Sequence, residues 1–322
     1  MRGVVLPLLA VLGLASPTLG DEEGTAAPKF DIRLERGAPE GARFLLTAEA
    51  RISSSESVVE DEKEIESEAF VEGRVRLEAA ATILGVNAEG GVTEAEYEVR
   101  SFSGSFDGNP VDEIPPGSVL RTRGGEEGTS VSLAEGELGP IQKMLLVQVL
   151  ETAREEQPGD DDLFGTAEPQ AIGATWPIRG AAAVQAISAN GTEVEEKYVS
   201  GGSRVVERHE VAGIECLQIE GRLDVIYMKP PGVDESNFAN ARLAIEFRGE
   251  YPTDTSRLAL GGKILSRLEI RHLLFEAEEE GELPIYHLTA NESEKSFSIR
   301  PLEEEEETGE AEEESEGHEA PV

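Results

Sequence analysis

Four histidines, one cysteine and a surplus of carboxylates are the residues in this chain that could do chemistry. His209 stands beside Glu210 in a polar stretch, His272 in a strand pattern, His287 beside Tyr286 late in the chain, and His318 in an acidic terminal run. Two of these imidazoles could meet across neighbouring strands and, with nearby acids, act as a general acid and base. Nothing in their spacing requires it, and His272 falls on the apolar side of its strand. Cys216 has no second cysteine to bond, and Ile214, Leu217 and Ile219 around it read as strand, so a buried inert thiol is expected. Asp160-Asp161-Asp162 is the densest carboxylate cluster and suits calcium by ligand type. Adjacent residues cannot all face one ion without a wrapping loop, so a solvated charge run is the expectation. No HExxH, Gly-x-Ser-x-Gly elbow, Gly-x-Gly-x-x-Gly before a helix or Walker loop occurs, so no catalytic, metal-binding or cofactor-binding residue is nominated. Asn190-Gly191-Thr192 and Asn291-Glu292-Ser293 fit the glycosylation sequon; the first reads better as a hairpin turn.

Charge narrows the partners. The chain carries 66 acidic and 28 basic residues, a net charge of −38. Eleven of the acids are the glutamates between Glu303 and Glu319, which leaves the body at −38 + 11 = −27. Such a surface repels nucleic acid and anionic lipid, and attracts cations and basic proteins.

Residues 1–20 have Arg2, an apolar run from Val4 to Leu14, and small residues before Asp21, the pattern of a signal peptide. No later stretch is long and apolar enough to span a bilayer, and no cysteine follows the apolar run to take a lipid. An exported protein, periplasmic or extracellular, is therefore expected.

The elements that must position any site are strands. A flexible leader is expected over 21–40. Phe44, Leu46, Ala48, Ala50 and Ile52 then alternate with Arg43, Thr47, Glu49 and Arg51, a strand interrupted by Ser53–Ser57 and the acidic run 60–68. Val75–Ile83 and Thr93–Val99 repeat the alternation, and the Arg and Glu rows on their wet faces can pair across strands. Shorter strands follow at Ser118–Arg123 and Thr129–Leu133. Gly139-Pro140 opens one helix expected near 140–152, apolar almost all round, which should cover the sheet with residues such as Leu145 and Val149.

The lone Trp176 is read as the seam between a first β-rich half, 41–163, and a second, 164–302. Beyond it, strands are expected over Thr192–Tyr198, Val205–Val206, Ile214–Met228, Ala241–Phe247 and Ile264–Leu274. Leu283–Leu288 and Ser296–Arg300 read as final edge strands, and 303–322 as a disordered tail. The fold class is mainly β (β-rich α+β), as two antiparallel curved sheets or half-barrels with a covering helix. One fused barrel and two domains both remain open.

Gly173-Ala174-Thr175-Trp176, placed centrally after a signal peptide and long strands, resembles bacterial exported proteins of unknown function. The strand-plus-lid plan is similar to the open barrels of the periplasmic lipoprotein-carrier type. Neither resemblance transfers a functional residue. The functional expectation is a non-catalytic exported protein holding an apolar ligand or a protein partner in a curved sheet. The alternatives are a hydrolase with dispersed carboxylate and His residues, and a protein that binds cations or a basic partner through its acidic surface and tail.

Overall fold

The computed structural model describes residues 27–302 except 38, 61–62, 88–89, 126–127, 154–157, 190, 234–236 and 276–282. The signal-peptide pattern, the acidic tail and Asn190 thus lie outside the described residues. In chain order the strands are β1 (Lys29–Phe30), β2 (Arg43–Glu60), β3 (Lys63–Val86), β4 (Val92–Phe106), β5 (Asn109–Pro110), β6 (Val119–Gly125) and β7 (Gly128–Leu133). Helices α1 (Pro140–Leu146) and α2 (Asp160–Phe164) follow, then β8 (Gln170–Ala171), β9 (Thr175–Pro177) and α3 (Gly180–Ser188). The chain ends in five long strands, β10 (Val199–Val211), β11 (Ile214–Met228), β12 (Phe238–Pro252), β13 (Gly261–Phe275) and β14 (Ile285–Pro301).

All but β1 and β8 belong to one twelve-stranded antiparallel sheet, ordered β7-β6-β4-β3-β2-β14-β13-β12-β11-β10-β9 with β5 against β4. The protein is mainly β, as the alternation predicts. What the pattern left open is decided by β14. It runs as one strand through Ser293 and pairs with β13 on one side and β2 on the other, from Ile285↔Glu60 to Pro301↔Phe44. The expected terminal edge strands are a single central one. Likewise β2 does not break at Ser53–Ser57, because β14 and β3 pair with it on both flanks, with an irregularity in the β3 ladder between Glu56 and Ser57.

One face of the sheet carries two apolar cores. The first gathers Leu77, Ala79, Ala81, Ala95, Val99 and Leu120 under Leu145, Leu146 and Leu150. The second gathers Leu217, Ile219, Leu223 and Ala241 with Phe164, Trp176 and Ala183. The opposite face is charged, and the sequence-predicted pairs are there: Arg76 with Glu49 at 2.7 Å, and Arg121 with Glu96 at 2.6 Å.

Trp176 does not join the halves. It sits on β9, the last strand of the order, packs only in the second core, and donates its indole N–H to the Phe164 carbonyl at 2.7 Å. The halves meet instead through the β2–β14 ladder. Gly173, at φ +82°, makes the turn that sets Trp176 opposite Ser203. The leader is not loose where it is described. Ile32 and Leu34 are buried in the second core, and β1 pairs with β8. Arg36 donates from Nη1 to the carbonyls of Pro252 (2.5 Å) and Asp254 (3.0 Å). Two apolar residues and one buried arginine in a polar stretch suffice to dock it, a signal too short to register as periodicity.

Two local expectations also change. Thr192–Tyr198 is a single bridge, Glu193↔Lys229, and a 3₁₀ turn, Glu196–Tyr198. Gly191, at φ +80°, donates its N–H to the Ser188 carbonyl and ends α3 rather than making a hairpin.

Candidate functional site

The covering helix is shorter than 140–152. Pro140 takes the first helical position, and Gln142 accepts the Gly139 N–H at 2.6 Å. The helix closes at Leu146, after which turn-type bonds carry the chain to Leu150. Beyond that the backbone is claimed by the sheet. Ala153 donates to the Val92 carbonyl at 2.7 Å, and the Thr152 N–H to Thr129 Oγ1 at 3.0 Å. Leu145 is fully buried. It rests over two glycines, where a Cβ would stand 3.0 Å (Gly73) and 3.3 Å (Gly104) from its methyl groups. That near absence of side chain beneath it lets the helix approach the strands closely.

Beside this contact the floor of the sheet is shallow. Ala48 and Ala50 on β2 continue into Ala79 and Ala81 on β3 and Ala95 on β4, all buried on the same face. Of these, Ala48 borders a space beneath the short roof, beside Phe44 and Leu46 of the same strand. A pocket of about 250 Å³ lies there, lined by Phe44, Leu46, Ala48, Val149, Phe297 and Ile299 among others. Its apolar side chains come from β2, β3, β4, β13, β14 and the segment after α1. Val149, half-buried, is a roof residue of this pocket, while Leu145 anchors the roof without lining it.

Lys295 and Glu151 pair at its margin, joining β14 to the segment after α1. Lys295, Glu151 and Gln148 also line a polar cleft of about 670 Å³ with Thr129, Asp160 and Glu35. An apolar pocket and a polar cleft thus share one wall. Nearby Tyr97 also borders the pocket, and burial pushes its phenol above the ordinary value, so it stays neutral.

The histidines fall in two places. His209 is on β10, not in a connection; it faces Cys216 across the ladder, and its Nε2 is 3.0 Å from Glu250 Oε2. The Cys216 thiol is fully buried, as expected, and that burial raises its pKa, which favours the protonated form. His272 and His287, by contrast, are paired in register on β13 and β14, with Glu56 Oε2 3.9 Å from His287 Nε2. They lie about 37 Å from the His209 end, since Glu250 pairs with Gly261, eleven residues along β13 at ~3.4 Å each. All three do not converge.

Asp160–Asp162 is not merely a solvated run. It forms the first turn of α2, and Asp161 accepts the Leu34 N–H at 2.6 Å, fastening the leader. Among the described residues no group of three or more His, Cys, Asp or Glu is placed to hold a metal ion. Among them, too, no helix is long and apolar enough to cross a membrane.

The opposite face has a groove of about 810 Å³ lined by Arg204, Arg222, Arg248 and Lys263. Those cations are engaged, Arg204 by Glu220 (2.6 Å), Arg222 by Asp224 and Glu246, and Lys263 by Glu294. It reads as a ladder of cross-strand pairs that holds the sheet's register.

No protein-family model matches the chain, and no curated protein is similar to it. Among solved structures it aligns with a DUF1329 family protein from Desulfovibrio piger at 11% identity, covering 79% of this chain and 85% of that one, with a TM-score of 0.14. A likeness that low carries no argument. The chemistry has to be read from the chain itself.

Proposed function

We propose that this chain is a non-catalytic exported protein that takes the apolar part of a small amphiphile into the pocket beneath Val149 and leaves its polar end in the adjoining cleft. One observation carries the reading: an apolar pocket and a polar cleft that share Lys295, Glu151 and Gln148 as their common wall. Ligand sites are concave, mostly apolar and edged by a few polar groups, and usually measure about 300–1,000 Å³. At about 250 Å³ the pocket suits one short chain or ring of a ligand, not a bulky cofactor. Export is supported by the signal-peptide pattern of residues 1–20.

Titration with the neutral dye N-phenyl-1-naphthylamine tests the site. Ala48→Leu, which fills the floor, should weaken dye binding at least tenfold in a variant that still unfolds cooperatively. Equal binding by Ala48→Leu and wild type would overturn the proposal.

A further inference from the structure

The paired charges on the sheet's open face fall into two straight rows. Across β11, β12, β13, β14, β2 and β3 the register sets Arg222, Glu246, Leu265, Glu294, Arg51 and Arg74 side by side. Two residues along each strand, about 7 Å away at ~3.4 Å per residue, Glu220, Arg248, Lys263, Ser296, Glu49 and Arg76 form the second row. No register shift falls between the two. Strands β9 and β10 extend both rows at one end, and Ser103 and Ser105 on β4 extend them at the other. The rows therefore cross nine strands, eight steps or about 38 Å at ~4.8 Å each.

Three cavities lie along these rows. The groove of about 810 Å³ shares Glu246 and Leu265 with one of about 420 Å³, which shares Arg51 and Glu294 with one of about 470 Å³. Together they make one trough across the strands. Its charge is unlike the rest of the chain. From β10 to β3 the rows hold seven bases, Arg204 included, and four acids. Asp224 pairs with Arg222, and Glu72 with both Arg51 and Arg74, so seven bases meet six acids. The whole chain has 28 bases against 66 acids. Each of the seven has a carboxylate between 2.5 and 3.9 Å away, yet each side chain stays 50–59% exposed.

We infer that this trough binds a neutral, linear, hydroxyl-rich chain, an oligosaccharide. A hydroxyl both donates and accepts, so one group can bridge a guanidinium and a carboxylate without parting them. A charged chain has to break pairs already made, and an anionic one meets the net −38 as well. A polypeptide strand adds at an open sheet edge and a helix lies in an apolar groove, whereas the floor here is polar side chains between paired strands. Leu265, 39% exposed in the first row, and Phe70, 58% exposed in the middle cavity, offer an apolar surface to the C–H faces of sugar rings. The inference stands apart from the amphiphile pocket, which lies on the other face of the sheet.

The test is calorimetric titration of the full chain with neutral hexasaccharides of β-1,4-linked glucose, β-1,4-linked N-acetylglucosamine and α-1,4-linked glucose, at millimolar concentration. At least one should bind, its disaccharide at least tenfold more weakly, and binding should change less than twofold between moderate and high salt. Leu265→Arg sets a long side chain into the first row between Glu246 and Glu294, which can hold its guanidinium, so the variant should still unfold cooperatively. It should weaken binding at least tenfold, and Phe70→Ser, at an exposed position, at least threefold. Ile141→Ser, exposed on α1, should change it less than twofold. Binding of none of the three hexasaccharides, or equal binding by wild type and both trough variants, would overturn the inference. So would equal affinity for disaccharide and hexasaccharide, or tighter binding of polygalacturonate, which assigns the trough to an acidic chain.

Discussion

The two cores lie on the same face of the same sheet, yet one is filled and the other is left partly hollow. In the second half, strand glycines are occupied by rings. A Cβ on Gly221 would stand 2.1 Å from the Phe247 ring, and one on Gly249 2.5 Å from Tyr251. Phe247 meets Phe164 edge-on at 4.8 Å, and Trp176, Ile32 and Leu34 complete the packing. In the first half the glycines lie beneath a leucine, and alanines pave the floor beside it. The lesson concerns side-chain volume. The same antiparallel ladder holds a dense core where rings cover strand glycines and keeps a cavity beside Ala48, where no side chain fills the space under Val149.

The sharpest way to break this comparison is to remove a ring. Trp176→Ala should cost about 3–5 kcal/mol in urea unfolding, and a loss below about 1 kcal/mol would mean the second core is not filled as described. The two halves share a ladder and should unfold together. In the wild type, indole fluorescence, which reports only the second half, should therefore give the same midpoint as far-UV circular dichroism. Separated midpoints would make the halves independent.

Adding volume should divide the halves in the opposite sense. Ala241→Leu, in the filled core, is expected to cost about 1–3 kcal/mol, and Ala48→Leu, facing the pocket, less than about 1 kcal/mol. Equal costs in thermal unfolding would deny the pocket its space.

Asp161 refines the filled side. Burial raises its carboxyl above the ordinary value, although the N–H groups of Leu34 and Glu35 partly offset this. The native state therefore favours the protonated acid, so this stabilisation is full below the unfolded-state value and lost as pH rises through the raised one. Asp161→Asn keeps an acceptor for Leu34 and removes the charge. Its melting temperature relative to wild type should climb across that window and then level; a flat difference would show that burial does not set this carboxyl. The smallest effect belongs to the pocket wall. Lys295→Met should change stability by about 0–1 kcal/mol, because the Glu151 end of the pair is largely in water.

Most strands were legible because an antiparallel sheet with one covered face imposes a period of two, and Phe44–Ile52, Val75–Ile83 and Ile264–Leu274 keep it. The roof over Leu145 was legible as well, since Gly139-Pro140 begins a helix and its apolar excess requires a cover. The pocket was not. Ala48, Leu46 and Phe297 look like ordinary strand residues until β2 and β14 are set side by side under Val149. His272 and His287 were visible separately; their meeting depends on the β13–β14 register. Helix α3 went unread, although its Ala181-Ala182-Ala183 run is a strong helix former and was the available signal.

The amino-acid order determined which segments are strands, which side of each is apolar, and that the body is acidic, because those are properties of a residue and its near neighbours. Only the tertiary structure decided that the last strand becomes a central one, that Trp176 closes an edge, and that one core keeps a cavity. Strand pairing joins residues more than two hundred positions apart, as Phe44 and Pro301 are. No local pattern specifies such a partner; it is selected by which arrangement buries both apolar sets at once.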